Sequence, residues 1–191
     1  MTELDAALDA LDAGRAVIVP TDTVYGLASS LRVPGAVAEL FRVKGRPRAK
    51  AIPVLGYDVD ALTEVASFDE RARRAARLWP GPLTIVLPRA LGFEVDLGGT
   101  GDTVAVRVPA HPLARELLGA TGPLAVTSAN PSGDPPFTTA AAARGGFGHD
   151  ITVLDGGTCD GVPSTVLDLT GEPRVLREGG VGLDALQALM S

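Results

Sequence analysis

Short apolar runs alternate with stretches of helical periodicity along the whole chain. Leu4, Leu8 and Leu11 recur at helical spacing after Thr2, which reads as an N-cap, and Gly14 stops that helix. Ala16 to Val19 is a short buried strand ended by Pro20. Pro34 fits the first turn of a second helix with Val37, Leu40 and Phe41 on one face. Ile52–Leu55 reads as a strand, Asp58 as the cap of a short helix carrying Leu62 and Val65, and 69–78 as an Arg- and Ala-rich helix. After the break at Trp79-Pro80-Gly81-Pro82, strands are predicted at 83–87 and 103–108. Pro112 starts a helix carrying Leu113, Leu117 and Leu118; a strand follows at 124–127 and a polar loop at 128–137. Thr138 reads as an N-cap before an Ala run, with strands at 151–154, 165–169 and 174–177 and a last helix on Leu183, Leu186 and Leu189. Strands and helices alternate without segregating, which predicts an α/β fold with a mixed sheet. No repeat or linker divides it, so residues 1–191 are expected to form one domain.

Composition narrows this picture. With 46% hydrophobic but 4% aromatic residues, the core must be built from Ala, Val and Leu. Gly 23 and Pro 15 punctuate apolar runs rather than forming a tract, which predicts tight loops instead of disorder. The one cysteine, Cys159, excludes an intramolecular disulfide. Residues 1–14 are acidic without an apolar h-region, and no apolar run reaches the ~18 residues of a membrane span. A cytoplasmic protein with no membrane association is expected. A net charge of −6 argues against stable nucleic-acid binding, which needs a broad basic surface.

Several chemistries are excluded outright. Two histidines, His111 and His149, and one cysteine cannot supply a zinc ligand set. His111, between Ala110 and Pro112, reads as a structural or capping residue. There is no G-x-x-x-x-G-K-[ST] and no nucleophile elbow. Gly180-Val181-Gly182 has no later strand to complete a dinucleotide fold and reads as a helix start.

What remains is cationic and hydroxylic. Arg42, Lys44, Arg46, Arg48 and Lys50 fall on alternate positions; an extended segment would project them to one side, as an anion site, whereas the plain alternative is a solvated basic loop. Thr21-Asp22-Thr23 and Thr127-Ser128-Ala129-Asn130-Pro131-Ser132 each leave a strand end with hydroxyls and a carboxylate or amide. Either could be an ordinary turn, yet strand carboxyl ends are where open α/β sheets bind ligands.

Taken with Lys44-Gly45-Arg46-Pro47, Trp79-Pro80-Gly81-Pro82-Leu83-Thr84, Val106-Arg107-Val108-Pro109 and Pro163-Ser164-Thr165-Val166, these loops resemble the YrdC-type domain in its motif order from about residue 14 to 180. Its best-characterised members are L-threonylcarbamoyladenylate synthases. The resemblance implies a twisted α/β fold around a positively charged cavity, and formation of threonylcarbamoyl-AMP and pyrophosphate from L-threonine, bicarbonate and ATP. It also implies Mg2+ accompanying ATP, no protein-ligated metal, and a downstream tRNA threonylcarbamoyl transferase complex that uses the product.

By motif position, Thr23, Arg107, Ser128 and Ser164 would contact threonine, with Arg107 gripping its carboxylate in bidentate fashion. Arg46, Lys50, Thr103, Asn130, Thr138 and Arg177 would contact ATP, and Lys44 with Arg46 would carry the catalytic charge stabilisation. Two departures stand out. Ala51-Ile52-Pro53 follows Lys50 where relatives more often have Pro-Leu, and Leu55 occupies an often polar position that helps line the threonine pocket. The alternative is a non-catalytic nucleotide- or RNA-binding paralogue of the same fold, and a carbamoyl-transfer domain of the hydrogenase-maturation type would sit in a much larger chain.

Overall fold

A capping box opens the chain: Thr2 Oγ1 accepts the Asp5 N–H at 3.1 Å and the Asp5 carboxylate accepts the Thr2 N–H at 2.8 Å. The computed structural model describes residues 2–99, 101–131, 133–148 and 150–190, so Ser132 and His149 lie outside the described residues. Helix α1 spans Glu3–Asp12, followed by β1 Val17–Val19 and β2 Gly26–Ser30. Helix α2 spans Ala36–Lys44, β3 Val54–Leu55 and α3 Val59–Leu62. Helix α4 spans Glu70–Ala75 and tightens into a 3₁₀ turn at Ala76–Leu78 before β4 Leu83–Pro88 and β5 Thr103–Arg107. Then come α5 Pro112–Thr121, β6 Leu124–Ser128, α6 Ala140–Phe147, β7 Thr152–Val153, β8 Thr165–Asp168, β9 Arg174–Arg177 and α7 Leu183–Met190. No helix among the described residues is long and apolar enough to cross a membrane.

The structure corrects three sequence expectations. Strand β2 is unanticipated, because Gly-Leu-Ala-Ser-Ser lacks the β-branched run that marks a strand; its antiparallel pairing with β1 imposes it. The cap of α6 is Thr139, whose side chain accepts the Ala142 N–H, one residue after the expected Thr138. The basic segment is not extended. Arg42 and Lys44 complete the last turn of α2, and Gly45 ends it at φ 62, where only glycine sits without strain. The alternation of cations therefore does not project them to one side. Arg42 pairs with Glu39 on the helix surface, Arg48 pairs with Asp96 and lies over the Phe41 ring, and Lys44 is buried.

All nine strands among the described residues form one mixed sheet, ordered β7-β1-β2-β6-β3-β5-β4-β8-β9. Side chains alternate across it with period two. One face carries Ile18, Leu27, Ala125, Val54, Val106, Ile85 and Leu167, packed with residues of α2, α3, α4, α6 and α7 into the larger core. The opposite face carries Val17, Val19, Ala28, Val126, Leu124 and Leu55, packed against Ala7, Ala10 and Leu11 of α1 and Leu117 and Leu118 of α5. That cover ends at β3. Beyond it, Thr103, Ala105, Val86, Val166 and Asp168 are half-buried, while Val104, Val106, Ile85 and Leu167 behind them are buried. One half of one sheet face is thus left open.

Candidate functional site

Register brings the polar groups together at the edge of that cover. Gly26 pairs with Ser128, Leu55 with Arg107, and Val166 with both Thr84 and Arg177, so these positions share the open face. All of these but Val166 line a cavity of about 190 Å³ there. This lies below the roughly 300–1,000 Å³ that encloses a drug-sized ligand, a size suited to a small polar metabolite with anything larger reaching onto the open sheet. Of the sequence-predicted residues, Thr23, Arg46, Arg107, Ser128, Ser164 and Arg177 line it. Leu55 and Val126 form an apolar wall. Gly26 is required at the floor, since a Cβ there would stand 2.6 Å from Val126 Cγ1.

Arg107 is buried at the centre of the site. Nε donates to the Gly81 carbonyl at 3.0 Å, Nη1 donates to Thr23 Oγ1 at 2.9 Å, and Nη2 lies 2.7 Å from Asp22 Oδ1. Burial lowers its pKa, opposed by the Asp22 charge and reinforced by Arg177. The free bidentate fork expected from sequence is therefore already engaged by the protein, because an uncompensated buried guanidinium is strongly disfavoured. Thr23 Oγ1 also shares a hydrogen bond of 2.9 Å with Thr21 Oγ1, which donates to the Val24 carbonyl at 2.6 Å. This turn fixes the direction of the Thr23 hydroxyl.

Lys44, expected to stabilise charge on the phosphates or the bicarbonate-derived group, instead bonds the Ser128–Asn130 loop. Its Nζ donates to the Ser128 carbonyl at 2.6 Å, to Asn130 Oδ1 at 2.6 Å, and to the Asn130 carbonyl. Helix α2 aims it there because Lys44 sits on the buried side of the last turn. Burial pushes its pKa down to about 8; the Arg46 charge adds to this and Asp134 opposes it. Asn130 is equally occupied, its Nδ2 donating to the Pro131 and Asp134 carbonyls at 2.9 and 2.6 Å. Together they shape the loop that presents Ser128.

Arg46 and Arg177 are the cations that remain available on the cavity side. Arg46 Nε and Nη2 donate to the carbonyls of Lys50 and Ala51 at 2.9 and 2.7 Å, while Nη1 stands 3.5 Å from Thr127 Oγ1. Arg177 holds the Ser164 carbonyl with Nε at 3.1 Å and Nη2 at 2.8 Å, and Nη2 also reaches Ser164 Oγ at 3.1 Å. Burial lowers the pKa of both. Ser164 Oγ is fixed from its other side by Thr84 Oγ1 at 2.8 Å.

The remaining expected residues lie outside the cavity lining. Lys50 is exposed. Thr103 shares the open side of β5 with Arg107, four residues or about 13 Å along the strand. Thr138 is half-buried, its carbonyl accepting the Cys159 N–H at 2.9 Å. Sequence reading placed Thr21 and Asp22 in a candidate binding loop and Thr84 in a family motif, but gave none of the three a role of its own. Thr84 carried a signal, a lone hydroxyl within the apolar run Leu83-Thr84-Ile85-Val86.

Comparison with known proteins agrees with this fold. Residues 9–179 match the Sua5/YciO/YrdC family, described as telomere recombination. A Mycobacterium tuberculosis protein, named provisionally as a threonylcarbamoyl-AMP synthase, is 41% identical over 97% of this chain and 88% of its own length. The threonylcarbamoyl-AMP synthase of Pyrococcus abyssi is 40% identical over 93% of this chain and 54% of its own. The crystal structure of P. abyssi Sua5 complexed with L-threonine superposes with a TM-score of 0.93 at 37% identity, covering 100% of this chain and 58% of that one. The chain thus spans little more than half of the archaeal protein.

Proposed function

This chain belongs to the Sua5/YciO/YrdC family, and we propose that it joins L-threonine, bicarbonate and ATP into threonylcarbamoyl-AMP, releasing pyrophosphate. The observation that carries the reading is the convergence of the Thr23, Ser128 and Ser164 hydroxyls with three guanidinium groups, drawn from six different strands and loops, on one small cavity. The hydroxyls of Thr23, Ser128 and Ser164 suit an amino acid that itself bears a hydroxyl, and a site built to bond that hydroxyl rejects analogues lacking it. Leu55 and Val126 offer a wall for the substrate's methyl group. Arg107 supplies positive potential at this end and fixes Thr23.

Arg46 and Arg177 are assigned to the triphosphate, with Lys50 and Thr103 farther along as contacts for the rest of the nucleotide on the open face. Threonine's ammonium first loses a proton. The free amine adds to the carbon of bicarbonate with loss of water, giving a carbamate. A carbamate oxygen then attacks the α-phosphorus, the bond to the β,γ-phosphates breaks, and pyrophosphate leaves. Both reactants are anions, so positioning and fixed cations lower the barrier without a histidine or cysteine. Mg2+ enters as part of the ATP substrate. The cavity lining offers hydroxyls and guanidinium groups but no carboxylate, so the phosphates would supply its anionic ligands.

Lys44 and Asn130 act one step back, holding the Ser128 loop. The mixed anhydride product is labile, which fits delivery to a tRNA threonylcarbamoyl transferase complex. Pyrophosphate release should require threonine, bicarbonate and ATP together and yield an AMP-linked product. Nucleotide binding without threonine-dependent release would support the non-catalytic paralogue instead.

A further inference from the structure

We propose that Asp22 is a positioning residue for the amino-acid end of the site, holding the Arg107 guanidinium in register with the Thr23 hydroxyl; this rests on the functional reading above. Asp22 does not itself line the cavity, so it can act only through a neighbour. Its Oδ1 lies 2.7 Å from Arg107 Nη2 and accepts the Ala110 N–H at 2.9 Å, which anchors the carboxylate to the chain just after β5. The two side chains form a close ion pair away from solvent, while Asp22 Oδ2 is buried without a hydrogen bond. Asp22 is thus a fixed counter-charge. Arg177, a like charge, disfavours the charged guanidinium that Asp22 favours. Because Nη1 donates to Thr23 Oγ1 at 2.9 Å, any shift of the guanidinium is transmitted to Thr23.

Asp22→Asn keeps the shape and the acceptor for Ala110 while removing the charge. The expected result is a rise of about tenfold in the threonine KM, with the ATP KM and kcat unchanged to within about twofold. In an Arg107→Lys background the same substitution should change the threonine KM by less than about twofold, because the guanidinium through which Asp22 acts is gone. Undiminished loss in that background, an equal rise in the ATP KM, or no effect of Asp22→Asn would overturn the proposal. If Asp22→Asn does not fold, Asp22→Ser carries the same measurements. Should the wild-type protein show no threonine-dependent pyrophosphate release, the functional reading fails on its own. The crystal structure of the variant then decides positioning: Arg107 displaced from Thr23 upholds it, and an unmoved guanidinium refutes it.

Discussion

Replacing Arg46 with alanine separates charge stabilisation from folding. In the structure its guanidinium uses Nε and Nη2 on the Lys50 and Ala51 carbonyls, leaving Nη1 toward the cavity. Two partly exposed hydrogen bonds of about 1 kcal/mol each amount to about 2 kcal/mol of stability. For a chain of this size that lowers Tm by about 4–8 °C. The chemical loss should be larger, since deleting one preorganised donor to developing charge costs about 2.7–4 kcal/mol, or about 100- to 1,000-fold in rate. Arg46→Lys keeps a charge but cannot bridge both carbonyls while facing the cavity, and should fall between the two. Thermal unfolding and threonine-dependent pyrophosphate release measure both arms. A folded Arg46→Ala protein with kcat/KM within about threefold of wild type would remove this residue from the mechanism.

The remaining expectations concern Lys44 and Arg107. With its pKa near 8, Lys44 should lose its proton, and one donor to the Ser128 loop, on the alkaline side, so kcat/KM should decline with an apparent pKa of about 8; a Lys44→Arg protein with the same limb would exclude this origin. Stability runs the opposite way: between that pKa and the ordinary lysine value of 10.5 the unfolded chain binds more protons, so this group's contribution to stability rises with pH, as urea unfolding across the window would register. Arg107→Lys cannot reach the Gly81 carbonyl, Thr23 and Asp22 at once, so it should raise the threonine KM more than tenfold, roughly, and leave that of ATP nearly unchanged. Equal losses for the two substrates would count against placing it at the amino-acid end.

Much of the fold is legible in local sequence because caps and periodicity act locally. Thr2 and Asp58 each accept a backbone N–H at the helix start where the sequence places a cap, and β9 spans the residues expected of it. Strand β2 is not legible, since pairing with β1 and β6 on both sides substitutes for its own propensity. The Arg42–Lys50 cations mislead because α2 runs through Lys44, so alternate positions fall around a helix and a turn instead of along a strand. Six cavity residues come from motifs matched to a family, whereas what holds them comes from tertiary packing. Asp22 meets Arg107 from 85 positions away in the sequence, and Lys44 reaches Asn130 across 86, distances no local pattern encodes.

A crystal structure of the protein with L-threonine and a non-hydrolysable ATP analogue tests the central claim most directly. The expected result places the amino acid against Thr23, Ser128 and Ser164, with the α-phosphate beside it and the triphosphate between Arg46 and Arg177. Either ligand bound outside this cavity, or both arginines turned away from the phosphates, would contradict it.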